Sequence, residues 1–127
     1  MPEPRTVVLV GHCGPDEWML KAAIRRMAPK VELRIQSADD DATIEQFLNP
    51  ESLFLINRML DGDFSTESGI DFITEIAGRS EHPAMMLISD FPDAQQAAIA
   101  AGALPGFGKS QLYNEASAAK LRHALGM

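Results

Sequence analysis

Short runs that stay apolar at consecutive positions constrain this chain more than any other feature. Leu53–Ile56 would be apolar on both faces of a strand, the pattern of a central strand in a parallel sheet covered by helices on each side. Thr6–Val10, mostly β-branched, and Ala84–Ile88 are two further runs of this kind. A turn-rich loop and a helically spaced segment follow each of them. After GHCGPDE, a helix is predicted over Pro15–Met27, with Asp16 and Glu17 at its positive end and Leu20, Ile24 and Met27 on its apolar face. The alternation Val31–Ile35 predicts an edge strand. ADDDATIEQFL predicts a short capped helix with Ile44, Phe47 and Leu48 inward, ended by Asn49 and Pro50 before the strand Ser52–Ile56.

The same rhythm runs to the end of the chain. The polar loop NRMLDGDFSTESG leads to a helix carrying Ile70, Ile73 and Ile76, then to the strand Ala84–Ile88 and the alanine-rich helix Asp93–Ala101, stopped at Gly102. Phe107 sits in a short, glycine-broken fifth strand. A last helix is predicted over Gln111–Leu125, with Leu112, Ala116, Ala119 and Leu125 as its apolar stripe. Five βα units with right-handed crossovers give one α/β domain over residues 1–127, an open doubly wound parallel sheet.

Composition narrows the function classes. A formal charge of −7 repels nucleic-acid phosphates, and no basic stripe interleaved with aromatics offsets it, so direct nucleic-acid binding is disfavoured. No apolar run approaches the length needed to cross a bilayer, and MPEPRTVVLV lacks a signal-peptide core. Cys13 is alone, so no internal disulfide can form. Together these features predict a cytoplasmic protein with no membrane partner.

In doubly wound sheets the ligand site lies beyond the carboxyl ends of the strands. That places Gly11, His12 and Cys13, Asn57 and Arg58, Ser89 and Asp90, and Gly108–Ser110 on converging loops. Over nearly its whole length the chain resembles the receiver domain of two-component response regulators, the phosphorelay modules. LFLINRML is similar to the family's third-strand phosphoacceptor segment, MMLISD to its fourth strand, and GALPGFGKS to the turn that carries its pocket lysine. The resemblance implies a flavodoxin-like (CheY-like) sheet of order 2-1-3-4-5, a signalling role without catalysis or cofactor, and a signalling protein or a second copy as partner. It also implies a contact surface on the fourth helix, fifth strand and fifth helix, where Phe107 and Tyr113 are the candidate anchors.

The departures from the family carry more information than the match. Receivers hold Mg²⁺ with an acidic pair after strand one and an aspartate after strand three, which also accepts the phosphoryl group. Here Gly11 and His12 stand at the pair and Asn57 at the acceptor. Mg²⁺ recruits hard carboxylate oxygens, and a neutral amide is a poor phosphoryl acceptor, so a phosphorylation-independent pseudo-receiver is expected. Ser89 and Lys109 match the family's hydroxyl and ammonium groups. Gly106 stands where the family places its switch aromatic, with Phe107 one position on.

Other readings compete at each position. Asn57 is read first as a structural amide capping loop backbone. Lys109 either pairs with Asp61 or Asp90 or contacts an anion, and Asp16, Asp61 and Asp90 are the carboxylates able to compensate its charge. A small-anion or nucleotide sensor built on Lys109, Ser89 and His12 is therefore the alternative function. An enzyme using Cys13 is a weaker one, since no additional cation or base is identified near the thiol and Met19 breaks the Cys-x5-Arg phosphatase pattern. Asp61, Asp63 and Glu67 form a solvated acidic loop, with a divalent ion as the alternative. Trp18 and the seven methionines are read as helix and core residues.

Overall fold

The computed structural model describes residues 4–127. Five strands, β1 (Thr6–Val10), β2 (Arg34–Ala38), β3 (Ser52–Asn57), β4 (Ala84–Ile88) and β5 (Leu104–Phe107), form one sheet of order β2-β1-β3-β4-β5 in which every pairing is parallel. The helices are α1 (Gly14–Met27), α2 (Asp41–Glu45), α3 (Gly69–Ala77), α4 (Pro92–Ala101) and α5 (Glu115–Ala124), with a 3-10 turn at Lys109–Gln111. This is the flavodoxin-like architecture expected from the repeated βα units.

Strand alternation divides the core into two layers. Val7 and Leu9 of β1 and Leu53 and Leu55 of β3 pack with Leu20, Ile24 and Met27 of α1 and Leu121 of α5. Val8, Val10, Phe54 and Ile56 pack on the other face with Ile44, Phe72, Ile73, Ile76 and Ala98 from α2, α3 and α4. β1 and β3 therefore bury both faces, which is why their sequences are apolar without alternation.

Three expectations are corrected. β2 starts at Arg34 rather than Val31, because pairing with β1 begins where the Arg34 N–H bonds to the Arg5 carbonyl at 2.9 Å. Leu33 and Ile35 pack against the core, but Val31–Leu33 precede the ladder. α5 starts at Glu115 rather than Gln111, since Gln111 closes the 3-10 turn by accepting from the Gly108 N–H at 2.9 Å. Its buried face is Ser117, Ala118, Leu121 and Ala124, leaving Ala116 and Ala119 exposed, because an alanine-rich stretch hardly fixes the helical phase. Trp18 is 75% exposed, two positions off the stripe that α1 buries, and Met19, Met59 and Met127 are also exposed. The described methionines that serve the core are Met27, Met85 and Met86.

Candidate functional site

Parallel register brings the strand ends together. Val10 pairs with Ile56, Asn57 with Ile88, and Ile88 with Phe107, so residues 11–13, 57–59, 89–91 and 108–110 emerge at one edge of the sheet. The geometry separates them into two halves.

On the β1–β3 side, the groups satisfy one another. Asn57 donates through Nδ2 to the Gly11 carbonyl at 2.9 Å and the Met59 carbonyl at 2.8 Å, and Lys109 approaches its Oδ1 at 3.5 Å. Only an amide fits this position, because two carbonyl oxygens ask for donors and an ammonium asks for an acceptor. Gly11 has φ +71, and a Cβ there would lie 2.7 Å from Leu60 Cδ2. A side chain at position 11 is thus opposed twice, by the backbone and by Leu60. The loop carrying Leu60 is held down by the Asp61 N–H bonding to the Gly11 carbonyl at 2.9 Å and the Asp63 N–H bonding to the Asp39 carbonyl at 2.7 Å.

His12 is buried, with Nε2 2.9 Å from the Leu55 carbonyl. The carbonyl can only accept, so Nε2 carries the proton and donates. Nδ1 is buried without a hydrogen-bond partner among the described residues. Burial outweighs the Leu55 hydrogen bond and lowers the His12 pKa to about 4, keeping the ring neutral near pH 7.

The Mg²⁺ that the resemblance to receivers implies does not fit these residues. Gly11 offers no side chain, His12 is committed to β3, and the pocket oxygens of Gly11 and Met59 face amide protons. No group of three or more His, Cys, Asp or Glu residues is arranged to hold a metal among the described residues, and this includes the loop with Asp61, Asp63 and Glu67.

The β4–β5 side is more open. Lys109 pairs with Asp16 at 2.5 Å, so Asp16 is the compensating carboxylate and is held below its usual range, first by the Lys109 hydrogen bond. Asp90 and Asp61 are not. Asp90 Oδ1 accepts from Ser110 through Oγ at 2.6 Å and the N–H at 3.3 Å. That approach needs glycine at 108, where a Cβ would lie 1.7 Å from the same oxygen. Asp61 is exposed, and its charge helps raise the Asp39 pKa after burial and Glu17. Cys13 is partly buried as the residue before α1, and its thiol adds to the lowering of the Asp16 pKa. Ser89 is buried, and its Oγ accepts from the Phe91 N–H at 3.2 Å.

A residue that the sequence does not single out helps to build this half. Gln95 of α4 donates to the Leu87 and Ser89 carbonyls at 2.9 and 3.1 Å and accepts from the Gly106 N–H at 3.0 Å, tying α4 to β4 and β5. Arg58 lies 5.0 Å from the Phe91 ring centroid. Asn57, Arg58, Met59, Ile88, Ser89, Asp90, Phe91 and Lys109 line an open cleft of about 200 Å³. Phe107 is only 1% exposed and packs beside Leu9 and Leu20, so it is a core residue and not a surface anchor. β5 alternation turns it onto the α1–α5 face. Tyr113 is 83% exposed, with the Arg26 guanidinium 4.2 Å from its ring centroid.

No protein-family model and no curated protein matches the chain. Solved structures do. A response regulator receiver protein from Pseudoalteromonas atlantica superposes with a TM-score of 0.68 at 17% identity, covering 95% of this chain and 97% of that one. A putative response regulator from Chloroflexus aurantiacus gives a TM-score of 0.68 at 15% identity, over 98% and 100%. The beryllofluoride-activated NtrC4 receiver domain dimer gives 0.65 at 19% identity, over 96% and 97%. Sheet order and these superpositions agree: the chain has the fold of response regulator receiver domains.

Proposed function

We propose that the chain is a receiver-like signalling module that works without phosphorylation, by contact with a signalling protein or a second copy of itself in the cytoplasm. The observation that carries this reading is the Asn57 amide, which donates to the Gly11 and Met59 carbonyls where a phosphoryl acceptor would need a free carboxylate. The Gln95 ties support it, because they fix β4, β5 and α4 to one another where the family resemblance leads one to expect a moving aromatic. No catalytic role is assigned.

The contact surface proposed is the face of α4, β5 and α5. With Phe107 inside the core, its apolar contribution passes to Leu104 and Pro105, which line a cleft with Ala119, Lys120 and His123, and to the exposed Ile99. One structural neighbour is described as a dimer, which lends the second copy some weight as occupant. Tyr113 marks the adjoining corner.

The test is intact-mass analysis after incubation with Mg²⁺ and acetyl phosphate, on the natural chain and on Asn57→Asp. Neither should gain a phosphoryl group, since the variant lacks the acidic pair and sets a carboxylate against two carbonyl oxygens. A stoichiometric gain on the natural chain, mapped to this pocket, would overturn the reading.

A further inference from the structure

Charge is divided unevenly over this chain. From Trp18 to Val31 the only charged residues are Lys21, Arg25, Arg26 and Lys30, all basic, whereas from Asp39 to Glu75 every charged residue except Arg58 is acidic. α1 lies on one face of the sheet and α2 and α3 on the other, and no ion pair joins the basic stretch to the acidic one among the described residues. Both regions keep their charge for something else.

Each charged surface also carries apolar groups. On the outer face of α1, Trp18 is 75% exposed and Met19 40%, with the exposed Ala22 beside them. On the acidic side, Asp40, Asp41 and Asp63 ring an open hollow of about 410 Å³ completed by Ala42, Phe64 and Ser65. Phe64 is half-buried and stands edge-on to Phe72 at 6.0 Å between ring centroids, which fixes an aromatic wall there. Asp40 accepts from the Thr43 N–H at 2.7 Å and Asp41 from the Ser65 N–H at 2.9 Å, but the exposed Asp63 carboxylate has no partner among the described residues.

We propose that α1 of one chain docks on the acidic surface of a second copy, with Trp18 seated in the hollow ringed by Asp40, Asp41 and Asp63 and with Lys21 and Arg25 on its carboxylates. Lys21 and Arg25 follow Trp18 by three and seven positions, so the three share one helix face over about 10 Å. The indole fits twice over: its ring can cover Phe64, and its N–H, which only donates, meets carboxylate oxygens. A second copy is the occupant that the chain itself specifies, because it presents the complementary charge and an apolar wall together. A nucleic acid or an anionic membrane would be drawn to the bases of α1 but repelled by the net charge of −7. These surfaces are distinct from the face of α4, β5 and α5, and their contact does not depend on the chemistry of Asn57.

The test separates the two surfaces. Trp18→Ala removes the α1 anchor and keeps the acidic surface, and Asp63→Lys does the reverse; both positions are exposed, so each variant should melt almost where the natural chain does. Isotope-labelled Asp63→Lys is titrated with unlabelled Trp18→Ala and, separately, with unlabelled Asp63→Lys, each into the millimolar range. The first should saturably shift the Trp18 indole N–H and the Lys21 and Arg25 amides, and the second should leave them in place. Labelled Trp18→Ala should show the matching shifts at Asp40, Phe64 and Ser65 on addition of Asp63→Lys. Raising salt from about 0.05 to about 0.5 M should weaken the contact about tenfold. Adding Arg25→Glu to the Asp63→Lys chain should also weaken it about tenfold. Absence of saturable shifts in the mixed pair would overturn the proposal and leave α1 to a partner other than this chain. So would equal shifts between two Asp63→Lys chains, which would seat α1 on a different surface of the copy, or an affinity indifferent to Arg25→Glu.

Discussion

The two halves of the strand-end site are built in opposite ways. On the β1–β3 side the chain has filled the space, with Leu60 against Gly11, the Asn57 amide bridging two carbonyls and His12 buried against Leu55. On the β4–β5 side the hydroxyl and the ammonium remain, and the cleft stays open beside Arg58 and Phe91. Packing and amide hydrogen bonds make one half part of the structural core, while the other is an open cleft lined by a hydroxyl, an ammonium and a guanidinium.

The sharpest way to break this contrast is to place an acidic residue directly after strand one. Gly11→Asp forces a side chain onto a backbone at φ +71 and into Leu60, so strain and overpacking add. Urea denaturation should show a loss of roughly 2–5 kcal/mol. A loss under about 0.5 kcal/mol, within the range of ordinary surface changes, would mean that the loop carrying Leu60 moves aside freely and that the half is not sealed. The same strain makes a full restoration of the acidic set poor as a phosphorylation test, since such a chain would fail for reasons of folding.

His12 gives the next largest effect. Its folded pKa of about 4 lies below the ordinary 6.5, so the unfolded chain takes up the proton first as pH falls. His12 burial therefore contributes its full stability above pH 6.5, and that contribution is lost progressively as pH falls to about 4, by about 3 kcal/mol. Asp16, held below its ordinary 3.8, loses its contribution only at still lower pH, and the raised Asp39 pKa acts in the opposite sense because its protonation favours the fold. Denaturation midpoints of the natural chain and His12→Phe between pH 7 and 4.5 separate these terms. The natural chain should lose stability across that window and the variant should hold nearly level; matching slopes would place His12 in contact with water.

How far the sequence reaches also differs between the halves. The strand order and both core layers follow from runs such as Leu53–Ile56, where residue type alone states that both faces are covered. Asn57 as a structural amide is legible too, since its position and chemistry exclude the carboxylate role before any distance is known. Leu60 is not: one apolar residue inside NRMLDGDFSTESG gives no sign that it folds back over Gly11. Gln95 looks like a solvent-facing polar residue in an alanine-rich helix, and only the irregular β4–β5 pairing between Met86 and Ile88 creates the carbonyls and N–H that it serves. The resemblance places Phe107 at the surface, yet a one-residue offset along a strand reverses the face, and Phe107 is buried. For Lys109 the sequence points to Asp61 or Asp90 as the pairing carboxylate and to Asp16 only as one that could compensate its charge, because selecting Asp16 requires knowing that the first turn of α1 leans over the 3-10 turn.

That pair supports the smallest prediction, and it tests whether the halves are mechanically separate. Lys109 and Asp16 are 29% and 23% exposed in their side chains, so water and salt reach the bridge and its net worth should be that of an ordinary partly exposed ion pair. A double-mutant cycle with Asp16→Asn and Lys109→Met should return a coupling of about 0.5–1 kcal/mol that shrinks with added salt. Because Asp16 is depressed below its ordinary range, the coupling should be present above pH 3.8 and fade as pH falls through its lowered folded value. Lys109 also touches Asn57 Oδ1, which gives the cycle a second reading. If the Lys109→Met loss is the same with Asn57 intact and in Asn57→Ala, the 3.5 Å contact carries little and the open half can rearrange without disturbing the sealed one. A coupling between Lys109 and Asn57 above about 1 kcal/mol would instead join the two halves through this ammonium, and a change in the cleft would then be felt at Gly11 and Met59.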